Sequence, residues 1–208
     1  EEYYPEFKED SHVIKDNYDN IYVLGHQGLL SMYNKEEKRF IGLPINKDIT
    51  CRNVTSMLID ANDTIWINHN GTLEKYTVSF DPERQPHITR HKDYSHPYAI
   101  EFMSRSRGRF LFVDVEGRLY SINPRQTVFI RDISPIVKEN GFISSIIYDN
   151  TDILVAFRTN GLVRLQSQND YIEEKIDVNC GVFSLWKDEE QDIIWIGTDG
   201  QGVYAWIK

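Results

Sequence analysis

Several groups of residues in this 208-residue sequence have types and spacings that could do chemistry. His87 and His91 stand four apart, the spacing by which one helix face offers two imidazoles to zinc. Ile88 occupies the place where a metalloprotease carries glutamate, and Pro86 opens a strand-like segment, so an exposed outer strand is expected and no metal site. The stretch "GTDGQG", 197–202, has the glycine density of a phosphate cradle. It lacks the Lys-Ser/Thr ending, and no helix follows whose N-terminus could receive a phosphate, so it reads as a turn. The basic cluster "SRSRGR", 104–109, could hold a sulfate or carboxylate. The Ser, His and Asp residues form no triad spacing.

The elements that must position these residues come from a repeat. A chain with 40% apolar and 12% aromatic residues can build a sizeable core. Five related segments appear: "NIYVLGHQGLLSMY", "TIWINHNGTLEKY", "RFLFVDVEGRLYSI", "DILVAFRTNGLVRL" and "IIWIGTDGQGVYAW". Their centres, Tyr22, Trp66, Leu111, Leu154 and Trp195, are 44, 45, 43 and 41 residues apart. A short apolar strand precedes each centre, in "SHVIKD", "VTSMLID", "YAIEFMS", "ISSIIYD" and "VFSLWKD". A more polar strand follows in "RFIGLPI", "HITRHK", "TVFIRD" and "DYIEEKID".

A period of 40–45 residues with four antiparallel strands, a to d, is the signature of a β-propeller blade. The fold class is therefore all-β, a propeller of about five four-stranded antiparallel blades at 11–45, 53–92, 98–132, 143–177 and 181–208. The segment 1–7, "EEYYPEF", reads as an outer strand of a preceding or closing blade. A strand covered on both faces is continuously apolar, as in "IIWI", "FLFV" and "ILVA". Gly28, Gly71, Gly117, Gly161 and Gly202 supply the positive φ of the b-to-c hairpins. Within "DISPIVKENG", Ser134 as a cap, Pro135 at the first helical position and Gly141 at the end predict a short helix. Trp66 and Trp195 fall mid-strand and are expected to pack between blades.

Charge and composition bound the function. A net charge of −9 argues against a nucleic-acid partner. No run approaches the roughly 18 apolar residues of a membrane helix, and the acidic start lacks the regions of a signal peptide, so no membrane contact is expected. Because the chain opens and closes in strand-like sequence, a piece of a longer protein is expected. Cys51 and Cys180 sit in no CxxC or metal spacing, hold equivalent places three blades apart and are not expected to bridge. The inner strands open with His12, Val54, Ala99, Ile143 and Val182, which gather no converging carboxylates. No catalytic residue, metal or cofactor is expected.

The pattern "V/I-x-S-L/I-x-x-D" followed by "D-x-I-W-I-G-T-x-G-x-G-V-Y" resembles the two-component regulator propeller repeat. "VFSLWKDEEQDIIWIGTDGQGVYAW" and "VTSMLIDANDTIWINHNGTLEKY" carry the resemblance; the other units share the period and turn glycines. The resemblance implies a seven-bladed propeller in the periplasmic, extracytoplasmic sensor region of a hybrid two-component histidine kinase, typically of gut Bacteroidetes, that detects oligosaccharides. A seven-bladed ring at this period needs about 300 residues, so the chain reads as a fragment. Partners implied are an oligosaccharide ligand, further blades and the signalling domains of the parent chain. A homodimer is also allowed. The alternative is a non-catalytic protein-interaction or structural module.

Strand order puts the a-to-b turns, "SRSRGR" among them, on one side of the blades and the b-to-c turns and d-to-a loops on the other. Propellers gather ligand-binding loops on the second side. Gln27, His69, Asn70, Asp114, Arg158, Asn160, Asp199 and Gln201 lie there, with amides, carboxylates and a guanidinium suited to sugar hydroxyls. His26 occupies the same kind of turn.

Overall fold

The computed structural model describes residues 11–25, 29–92, 98–122 and 127–207. The expected outer strand at 1–7 and the turn residues His26, Gln27 and Gly28 lie outside the described residues. The chain divides into two compact units, 1–101 and 102–208. In the first, β1 (His12–Lys15), β2 (Ile21–Leu24), β3 (Leu30–Asn34) and β4 (Arg39–Leu43) form one antiparallel sheet in chain order. β5 (Val54–Ile59), β6 (Thr64–His69), β7 (Thr72–Phe80) and β8 (Pro86–His91) form the next.

At the boundary begins β9 (Ile100–Ser106), which pairs on into β10 (Arg109–Asp114), β11 (Arg118–Ile122) and β12 (Thr127–Asp132). The fourth sheet is β13 (Ile143–Asp149), β14 (Asp152–Phe157), β15 (Leu162–Gln166) and β16 (Ile172–Ile176). The fifth, β17 (Val182–Asp188), β18 (Ile193–Thr198) and β19 (Val203–Ile207), has three strands among the described residues.

Double-sided cover explains the unbroken apolar runs. All six residues of β6 and all six of β14 are buried. In the first unit Tyr22, Leu24, Met32, Met57, Ile65 and Tyr76 share one cluster between the two sheets. In the second, Leu111, Val113, Tyr148, Val155 and Phe157 join the third sheet to the fourth, and Ile147, Leu154, Ala156, Leu185, Ile194 and Ile196 join the fourth to the fifth. Each wholly buried large side chain, such as Phe112 or Phe157, contributes about 1.5–3 kcal/mol. β18 alternates half-buried with buried residues. Trp66 is buried as expected, whereas Trp195 is only half-buried, because a neighbouring sheet covers one face of β18 and Trp195 is on the other.

Turn chemistry holds the strands in register. Gly71, Gly117, Gly161 and Gly202 all have positive φ in b-to-c turns. At Gly117 a side chain would meet a second obstacle, since its Cβ would lie 2.7 Å from the Cα of Ser134. The short helix α1 (Ser134–Asn140) forms where expected, but its cap differs. Ser134 is the first helical residue and Ile133 precedes it, so the Ser134 N–H donates to the carboxylate of Asp132 at 2.9 Å. Gly141, at φ 89°, ends the helix with its N–H on the Val137 carbonyl.

Candidate functional site

The fourth sheet carries a cavity of about 250 Å³ on its b-to-c side. Three connections build it. The end of α1 brings Asn140, the β14–β15 turn brings Asn160 and Gly161, and the end of β16 with the following loop brings Lys175, Asp177, Val178 and Asn179. Leu162, Val163 and Ile176 also line it, with Leu162 and Val163 buried on opposite faces of β15. The walls are tied together: Thr159 Oγ1 donates to the Asn140 carbonyl at 2.8 Å, and Gly161 N–H donates to the Cys180 carbonyl at 3.2 Å. Asn140 Nδ2 donates to the Ile136 carbonyl at 2.9 Å, while Lys175 pairs with Glu139. Asn160 and Asn179 are exposed at the rim.

The β18–β19 turn lies against the same region. Asp199 N–H donates to the Gly181 carbonyl at 2.9 Å, and a Cβ on Gly181 would collide with the Arg158 carbonyl. Gly181 thus lets two hairpins, one bearing Arg158 and Asn160 and the other Asp199 and Gln201, approach closely. All four side chains are exposed, and Gln201 accepts a bond from the Tyr204 hydroxyl at 3.1 Å.

The other sequence-derived candidates are placed differently. Gln27 lies outside the described residues. Asn70 is exposed in its turn at φ 47°, its N–H on the Asn53 carbonyl. His69 is buried, with Nε2 3.1 Å from Oε1 of Glu74. Asp114 is fully buried; Oδ1 accepts from the N–H groups of Glu116 and Arg118, and Oδ2 from Arg118 Nε, each at 3.0 Å. Those oxygens face the hairpin, not the solvent.

Lys175, Asp177, Asn179 and Asn140 were not singled out by sequence. Asp177 and Asn179 belong to a d-to-a loop, the loop class expected to gather on this side, and Lys175 to the end of β16 just before it. Asn140 comes from a helical insertion outside the repeat.

A larger cavity, about 380 Å³, lies at the opposite end of the same sheet, between Asp149, Asp152, Arg164 and the amides of Asn150, Gln166, Gln168 and Asn169. Its charges are already paired, Asp152 with Arg164 and Asp149 with Lys187 of the fifth sheet. Asp152 accepts from Arg164 Nε and Ser167 N–H, each at 2.8 Å. Burial alone would raise the Asp152 pKa, but the Ser167 and Arg164 bonds outweigh it and hold it below the ordinary carboxylate range. The "SRSRGR" cluster forms an a-to-b hairpin as expected, and its Arg107 pairs with Glu189. His87 and His91 fall on the outer strand β8. Among the described residues no group of three or more His, Cys, Asp or Glu could hold a metal ion. No described helix is long and apolar enough to cross a membrane.

No family model matches the chain, and no curated protein matches it. Solved structures do. The extracellular domain of a hybrid two-component system from B. thetaiotaomicron is similar at 15% identity and TM-score 0.58, over 92% of this chain and 26% of that one. The Swd1 β-propeller domain of Myceliophteria thermophila is similar at 12% identity and TM-score 0.56, over 95% and 66%. A catalytically inactive virginiamycin B lyase from Staphylococcus aureus, solved with quinupristin, is similar at 13% identity and TM-score 0.59, over 99% and 73%. The chain therefore spans about a quarter of the length of the two-component domain. Likeness at such identity carries the fold alone, and that fold is a β-propeller.

Proposed function

We propose that the chain is part of the ligand-sensing propeller in the periplasmic region of a hybrid two-component histidine kinase, and that a short oligosaccharide occupies the Asn140–Asn160–Asn179 cavity. The carrying observation is the cavity itself. Three asparagines, a lysine and an aspartate line it on the side where propeller loops converge. Amides offer both donors and acceptors to vicinal hydroxyls. The likeness to an extracellular two-component domain supports the setting, and the absence of a converging carboxylate pair in the repeat supports a binding role over glycoside hydrolysis.

Calorimetry of the full-length extracytoplasmic region against a library of glycan fragments tests this reading. One class of saccharide is expected to bind, and Asn160→Ala combined with Asn179→Ala is expected to abolish that binding at an unchanged melting temperature. Unaltered affinity removes the ligand from this cavity. Replacing Gln27, Asn70, Asn160 and Gln201 together then tests the turns as a set. Full retention of affinity in both variants overturns the assignment to this side of the blades.

A further inference from the structure

Phe142 and Arg158 extend the β13–β14 ladder by one pair. Ile143 pairs with Phe157, and beyond them the Arg158 N–H donates to the Phe142 carbonyl at 2.9 Å. Paired residues of antiparallel strands send their side chains to the same face, so the phenyl ring and the guanidinium stand side by side. Both are exposed, the ring by 71%. A Cβ on Gly181 would lie 3.6 Å from the Cβ of Asp199 and against the Arg158 carbonyl, so the β18–β19 turn brings Asp199 to the same place. These residues adjoin the candidate cavity. Phe142 stands two residues after Asn140 and Arg158 two before Asn160, and both asparagines line it.

Their side chains are uncommitted. Arg107, Arg118 and Arg164 of the same unit are each held by a carboxylate. The side chains of Arg158 and Asp199 form no ion pair or hydrogen bond among the described residues. Each then calls for its own kind of partner. A guanidinium presents a planar fork of N–H groups that grips two oxygens of an anion, a carboxylate only accepts and so takes hydroxyl protons, and a solvated phenyl ring gains by covering its face with C–H groups. An anionic sugar supplies all three.

The geometry points to a subsite for an acidic sugar residue, which lays the C–H face of its ring on Phe142, sets its carboxylate or sulfate ester in the fork of Arg158 and donates a hydroxyl to Asp199. This assignment rests on the reading that a saccharide occupies the neighbouring cavity, and names the class of that saccharide. Calorimetry of the full-length extracytoplasmic region tests it with a glycan-fragment library in three forms: untreated, carboxyl-reduced and desulfated. Binding is expected in the untreated form and is expected to be lost in one of the other two, which tells a uronate from a sulfate ester. Arg158→Met is expected to weaken that binding at least about tenfold and to remove its dependence on salt, at the wild-type melting temperature. Phe142→Ala is expected to weaken it as well, and Phe142→Trp to keep it. A saccharide that binds equally in all three forms, or whose affinity Arg158→Met leaves unchanged, overturns the acidic subsite and leaves the saccharide reading standing. Absence of binding from every form overturns that reading and the subsite with it.

Discussion

The indole nitrogen of Trp66 donates to Oδ2 of Asp60 at 3.0 Å, joining the centre of β6 to the turn that precedes it. The other oxygen of Asp60 accepts the N–H groups of Asn62 and Thr64 at 2.8 and 3.0 Å. One carboxylate thus closes the hairpin and satisfies a buried donor. Asp16 does the same in the first sheet, accepting from Tyr18 and Asn20 N–H and from the Tyr22 hydroxyl. Asp60→Ala leaves the indole and two turn amides without an acceptor. At roughly 1.5–3 kcal/mol for a bond to a charged group, a marked loss of stability is expected in urea titration. Asp60→Asn, which keeps an acceptor oxygen, should lose less.

Glu74 anchors a second network, receiving Asn46 Nδ2 and Arg90 at 2.7 Å, His69 at 3.1 Å and the Tyr76 hydroxyl. Burial alone would raise the pKa of Glu74, but the bonds from Tyr76, Asn46 and His69 and the charge of Arg90 outweigh it and lower it. A carboxylate depressed in the folded state stabilises fully above its unfolded value, about 4.3, and that contribution is lost as pH falls through the lower folded value. Melting temperature followed downward from pH 5 should fall more steeply for the wild type than for Glu74→Gln. Equal slopes would mean that Glu74 does not supply the acid dependence.

Strand positions were legible because cover on two faces writes a continuous apolar run and hairpins demand glycine at fixed places. β6, β10 and β14 and the positive φ of Gly71, Gly117 and Gly161 follow from that alone. Residue type was a poorer guide to role. Asp114, in the right turn for a ligand, uses both oxygens on its own hairpin and Arg118. Trp195 matches Trp66 in the repeat, yet its preceding turn is one residue longer. There Asp188 accepts from Glu190 and Gln191 N–H, and the exposed face leaves the ring half-covered. The cavity was the least legible feature, since Asn140 and Asn179 belong to connections whose paths no periodicity records.

In the fourth sheet Leu154 stands at the strand centre where Trp66 stands in the second, and Asp149 is met instead by Lys187 from the fifth sheet at 3.2 Å. Both side chains are almost wholly buried, and Asp192 is a second partner of the lysine. Removing one member of a buried pair leaves the other uncompensated, so Lys187→Met is expected to cost about 3–5 kcal/mol. Lys15→Met, at the exposed pair with Asp19, is expected to change little. Replacing both members, Lys187→Met with Asp149→Leu, should recover much of the stability in thermal melts. A double variant as unstable as the single one would show that the pair is not the source of the loss.

Cys51 and Cys180 occupy equivalent places in the repeat, 15 residues before Trp66 and Trp195, and both are thiols. Their surroundings differ. Cys51 is 2% exposed in the loop before β5, whereas Cys180 is partly exposed beside the candidate cavity, its carbonyl held by Gly161. Attack on a disulfide reagent needs an accessible thiolate. In native protein without reductant, Cys180 should be labelled quickly by a chromogenic disulfide and Cys51 only as the chain unfolds, giving one fast equivalent and a second that appears with denaturant. Asn160 and Asn179 flank the same loop, so a ligand seated in the cavity should also slow the fast phase. Slowing that survives in the Asn160→Ala, Asn179→Ala variant would place the ligand elsewhere.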